Sequence, residues 1–91
     1  MFRITEQRLF GRLVLKLEGR FSIDGVADLE ATWRGARETC DPDSIWVDLS
    51  EVDLVDLAGQ EQLTRMHRAG VRFLTRGVVM RELVREIAQA H

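Results

Sequence analysis

The chain has 91 residues, 13 basic against 15 acidic side chains for a net charge of −2, and 45% hydrophobic against 31% charged residues. That is one small globular domain of ordinary composition, spanning 1–91, and not a polycation that grips nucleic acid or anionic lipid by charge alone. No apolar run reaches the roughly 20 residues of a bilayer-spanning helix, Met1–Glu6 lacks the apolar core of a signal peptide, and a single cysteine, Cys40, excludes an internal disulfide and a cysteine-built zinc cage.

These features predict a reduced, cytoplasmic setting, no nucleic-acid partner and no direct membrane insertion. Charge is unevenly spread. Asp41, Asp43, Asp48, Glu51, Asp53 and Asp56 form an acidic stretch, and an arginine-rich stretch runs from Arg65 to Arg85. Such a division reads either as solvated charge on opposite rims of a sheet or as a bipolar surface that orients a charged partner.

Taken in chain order, Phe2 and Ile4 alternate with Arg3 and Thr5 in a short strand. Leu13, Leu15 and Leu17 alternate with Val14, Lys16 and Glu18 in a second. Gly11 lies between them, which predicts an antiparallel hairpin with Leu9 and Phe10 near its tip and an end at Gly19. Val26, Leu29, Trp33, Ala36 and Cys40 then recur at helical spacing. Asp24 is the expected N-cap of that helix, and Asp41-Pro42-Asp43 stops it, since proline disfavours helical geometry in the residue before it. Cys40 reads as a small hydrophobe on this stripe.

Ile45-Trp46-Val47-Asp48-Leu49 is apolar on both faces, the pattern of a central strand covered on both sides. An acidic loop carrying Val52, Leu54 and Val55 follows. A second helix is expected from about Ala58 to Ala69, with Leu63 and Met66 inward and Gly70 at its end. Val71–Thr75 makes a fourth strand. After Gly77, a third helix turns Val79, Leu83, Val84 and Ile87 to one face. The order β-β-α-β-α-β-α gives an α/β fold: a mixed sheet of about four strands with right-handed crossovers and packed helices.

Catalytic patterns are poor, and no enzyme is expected. His67 and His91 have no histidine or cysteine at metal-ligand spacing. Ser22, Ser44 and Ser50 sit in no nucleophile elbow, and the glycines are too scattered for a phosphate loop. No metal and no cofactor is called for. The informative run is Ile45–Gln60, where a buried strand leads through Asp53 and Asp56 to the first turn of a helix. Carboxyl ends of parallel strands are where α/β sheets present binding surfaces. Asp56 is suited to cap that helix. Gly59 either admits a second backbone or simply packs tightly.

Several of these segments together resemble the STAS domain of bacterial anti-sigma-factor antagonists and sulfate-transporter tails, over nearly the whole chain. Leu17–Ser22 resembles the family's passage from its second strand to its first helix. Trp46–Val52 resembles its hydrophobic-x-Asp-hydrophobic-Ser-x-Val strand, and Val55–Gly59 its Asp-Ser-Ser-Gly or Asp-Thr-Ala-Gly signature. Val71–Leu74 and Val79–Leu83 match the later strand and helix.

The resemblance implies a STAS-like fold and a protein partner: an anti-sigma factor or switch kinase, another STAS protein, or a second copy in a homodimer. It implies a partner surface that joins Phe21–Asp24, the Asp53–Gln60 loop and the outer face of the second helix, with Phe21, Ser22, Asp24, Asp53, Asp56, Leu57, Ala58, Gly59 and Gln60 as its site residues. In switchable members the residue after the signature aspartate is a serine or threonine that a kinase phosphorylates. Here it is Leu57, followed by Ala58, and neither has a hydroxyl. No phosphorylation is expected at that site, and Leu57 is either an exposed anchor or a partly buried structural residue. Gln60, Glu61 and Gln62 make the helix more polar than in the family. The last strand and short helix of many relatives have no counterpart after the third helix, which leaves one sheet edge open or covered by another chain. A subunit of a lipid-transport ABC system or of a stressosome-like complex is the alternative reading. Phosphate binding at the second helix's free amides is opposed by Asp53 and Asp56.

Overall fold

Alternation in β2 (Arg12–Phe21) and β3 (Ile45–Val55) sets the architecture. Leu13, Leu15 and Leu17 on one strand, and Ile45, Val47 and Leu49 on the other, all turn to one side and are buried. The strands run parallel with Leu13 opposite Ile45 and Leu15 opposite Val47, so the two rows fuse into one apolar surface. The computed structural model describes residues 1–89. β1 (Phe2–Leu9) pairs antiparallel with β2, and β4 (Arg72–Leu74) pairs parallel with β3, giving the sheet order β1-β2-β3-β4.

Helices α1 (Ile23–Arg37), α2 (Leu57–Arg68) and α3 (Val78–Gln89) press their apolar stripes onto that surface. Leu29, Trp33 and Ala36 come from α1, Leu63 and Met66 from α2, and Met80 and Ile87 from α3; they form one cluster with the strand residues. Each large side chain there contributes about 1.5–3 kcal/mol by leaving water. The α/β class, the four-stranded mixed sheet and the element order agree with expectation.

Several details differ. Gly19 does not end β2. It sits inside the strand at φ 92°, where the pairing with β3 shifts register, and the strand continues to Phe21. β1 is longer than its alternating start suggested. The acidic segment after Leu49 is not a loop but the second half of β3, because Glu18, Gly19, Arg20 and Phe21 supply it with a partner strand. β4 is only three residues long and meets β3 at Trp46, Val47 and Asp48 alone.

β3 is covered by helices on one face only. Trp46 and Asp48 point to the other, where the guanidinium carbons of Arg12 and Arg72 stand 5.5 and 5.9 Å from the Trp46 ring. Cys40 lies just past the end of α1, half-buried against the core, with Arg8 Nη1 3.8 Å from its sulfur. In α3, Val79 is 74% exposed and Met80 takes the inward place, with Leu83 and Val84 half-buried. His91 lies outside the described residues.

The β1–β2 turn consists of Phe10 and Gly11, both at positive φ (52° and 78°). This is the sense of turn that matches strand twist in a tight hairpin. For a bulky residue such as Phe10 the left-handed region costs of order 1–3 kcal/mol, and the ring, 101% exposed, gains nothing from burial.

In α1, Gly35 is exposed, and a methyl group there would meet nothing within 4 Å. Gly35→Ala should therefore raise stability by about 0.5–1 kcal/mol through helix propensity alone, read as a higher urea midpoint with an unchanged slope.

Candidate functional site

At the carboxyl end of β3 the chain turns through Asp56, whose extended backbone (φ −83°, ψ 179°) sets it as the N-cap of α2. One carboxylate oxygen accepts from the Gly59 amide at 2.8 Å, the expected cap. The other accepts from the amide of Ile23, the first residue of α1, at 3.0 Å. The Asp56 amide in turn donates to the Phe21 carbonyl at 3.1 Å. One acidic residue thus latches the starts of two helices together and ties both to the end of β2.

This arrangement replaces the expected cap of α1. Ser22, not Asp24, holds the N-cap position, and its hydroxyl makes no capping bond. Asp24 stands exposed in the first turn, where its charge suits the helix dipole. A capping aspartate reached from 33 residues away leaves no local pattern in the sequence.

Gly59 has a defined reason to be glycine. A Cβ there would lie 2.9 Å from both the Phe21 ring and the Phe21 carbonyl oxygen, so the start of α2 rests directly on the end of β2. Phe21 is itself fully buried and stacks on Phe2 with ring centroids 5.2 Å apart. Neither Phe21 nor Gly59 can offer a side chain to a partner: both are expected surface residues that belong instead to the support beneath it.

Above that support, Leu57 is 70% exposed, an apolar side chain standing in water at the first position of α2. Asp53 is also exposed, and Ser22, Asp56, Ala58 and Gln60 are half-buried around it. Two further exposed apolar residues lie in the same two segments. Ile23, 68% exposed, is joined to Leu57 through the Asp56 latch, and Leu54 is exposed on the last turn of strand before it. Ile23 stands three residues before Val26, so periodicity alone places it on the buried stripe. Leu54 stands two residues after buried Val52, so strict alternation would put both on one face; the register shift between Gly19 and Arg20 inserts Asp53 and turns Leu54 outward.

Gln62 departs from the expected polar face. It is fully buried between α1 and α2, and its Nε2 donates to the Val26 carbonyl at 3.1 Å and to Glu30 Oε1 at 3.2 Å. Glu51, from the acidic stretch, lies 4.0 Å from Arg76 across the mouth of β4. Of the nearby hydroxyls, that of Thr64 donates to the Gln60 carbonyl at 2.8 Å.

A mixed sheet with all helices on one face, and a capped helix start displayed at its carboxyl end, defines a SpoIIAA-like, or STAS, α/β fold. The solved structures bear this out. An anti-sigma-factor antagonist from Mycobacterium paratuberculosis superposes with a TM-score of 0.78 at 19% identity, over 98% of this chain and 80% of that one. The anti-sigma-factor antagonist SpoIIAA in its unphosphorylated form gives 0.72 at 14% identity, over 91% and 82%. A STAS-domain antagonist from Rhodobacter sphaeroides gives 0.56 at 21% identity, over 90% of each chain. No family model and no curated protein matches the sequence. The chain therefore has the fold of the anti-sigma-factor antagonists. No helix among the described residues is long and apolar enough to cross a membrane.

Proposed function

We propose that this chain is a non-enzymatic, cytoplasmic protein-interaction domain of the anti-sigma-factor-antagonist type, and that phosphorylation does not switch it at position 57. The observation that carries the reading is the exposed Leu57 at the first position of α2, held there by the Asp56 latch. A phosphoserine at such a place adds about −1.5 to −2 charges and repels an acidic or apolar contact. A leucine cannot acquire that charge. It offers a partner a constant apolar anchor, with exposed Ile23 held by the same Asp56 latch.

Leu57→Asp, which places a fixed negative charge there, should leave the thermal midpoint nearly unchanged, as exposed substitutions shift stability by only about 0.5 kcal/mol. It should abolish capture of an ATPase-fold anti-sigma factor or switch kinase that the unaltered chain retains. Incubation with such a kinase and ATP should leave the domain unmodified. Phosphate on Ser50 or Thr64, or equal capture by Leu57→Asp, would falsify this reading.

A further inference from the structure

The far end of the sheet carries a second apolar feature. On the face that no helix covers, Leu9, Phe10, Val14, Trp46 and Leu74 surround a hollow of about 180 Å³ beside the hairpin tip. That is room for one side chain, well below the roughly 300–1,000 Å³ of small-molecule sites. Val14 and Trp46 are register partners and form its floor; Phe10, Leu9 and Leu74 form an exposed rim.

Two cations flank it. Arg12 and Arg72 stand on the Trp46 ring from adjoining strands, and among the described residues neither guanidinium is ion-paired. One row further along, Lys16 and Asp48 are register partners of opposite charge and offset each other. The local excess at the hollow is therefore positive, on a chain whose net charge is −2. Phe10 adds an independent sign: a fully exposed aromatic ring is presented from a backbone conformation that bulky residues avoid.

We infer that this open face docks a segment of a protein partner that alternates apolar and acidic residues. One apolar side chain fills the hollow against Trp46 and Phe10, and carboxylates on either side of it pair with Arg12 and Arg72. A second copy of this chain is a poorer occupant. Two such faces brought together about a two-fold axis would set the same arginines against each other. The hollow lies at the start of β2, whereas the Leu57 surface lies beyond its end, so the inference goes beyond the proposed function and does not depend on it.

The test uses the full chain, labelled with nitrogen-15, and a short synthetic peptide in which leucine and phenylalanine alternate with aspartate and glutamate. Its counterpart has lysine at every acidic position. The acidic peptide should shift the amides of Leu9–Val14, Trp46 and Arg72–Leu74, and the lysine peptide should not. Arg12→Glu with Arg72→Glu should weaken the acidic peptide at least about tenfold and let the lysine peptide bind. Phe10→Gly, which relieves the turn, should raise the thermal midpoint while weakening the acidic peptide. The inference is overturned if the acidic peptide leaves those amides unmoved, or if both peptides shift them alike. It is equally overturned if the same amides shift with protein concentration alone while sedimentation shows a dimer, since the occupant is then a second copy.

Discussion

Asp56→Ala should lower stability by about 2–3 kcal/mol, near the top of what one half-buried polar side chain can do. Removing an N-cap costs roughly 0.5–2 kcal/mol, and a hydrogen bond to a charged group contributes roughly 1.5–3. The two losses do not add in full. The Ile23 amide lies at an exposed helix start where water can replace the carboxylate, whereas Gly59 is buried. For a domain of this size, each kcal/mol shifts the thermal midpoint by about 4–8 °C, so the variant should melt at least about 8 °C lower. Asp56→Asn separates the two bonds. Its one remaining acceptor oxygen can serve Gly59, but the amide nitrogen then faces the Ile23 donor. Hydrogen exchange should show the Gly59 amide still protected and the Ile23 amide open. An unchanged midpoint in the alanine variant would mean that the latch contributes nothing.

Gly59→Ala should reverse the usual effect of that substitution in a helix. Propensity alone favours alanine by about 1 kcal/mol. Here the new methyl would stand 2.9 Å from the Phe21 carbonyl oxygen and ring. The carbonyl is fixed because it accepts the Asp56 amide, and the ring is fixed because it is fully buried. Overpacking of this kind costs about 1–3 kcal/mol, so urea unfolding should show a net loss where Gly35→Ala shows a gain. Phe21→Leu in the same chain should restore only part of it, since the ring contact is relieved and the carbonyl contact remains. A neutral or stabilising Gly59→Ala would show that α2 does not rest on β2 as described.

Much of the fold was legible because local signals agreed with it. Leu13, Leu15 and Leu17 recur at every second place, and Leu29, Trp33 and Ala36 keep helical spacing; all six are buried. Asp56 reads as a cap from its own neighbourhood, and it is one. What failed was decided by distant residues. The stretch after Leu49 looks like a loop by its acids and becomes strand because the end of β2 lies beside it. Trp46 reads as a two-sided core residue, but its outer face is sheltered by two arginines rather than a helix. Phe21 and Gly59 stand inside a motif-like run, yet that run alone does not separate the residues displayed from those underneath. Gln62 looks like surface polarity until Val26 and Glu30 are found against it.

The shortness of β4 has a consequence for how the molecule keeps to itself. Because β4 meets β3 only at Trp46–Asp48, the later part of β3 presents an unoccupied ladder of main-chain groups on that side, among the described residues. A bare ladder is an invitation to a neighbouring strand and to runaway polymerisation. Glu51 and Asp53 stand exposed along this stretch. A second molecule zipping onto it would align carboxylate against carboxylate, so the negative stretch doubles as a guard against fibre growth.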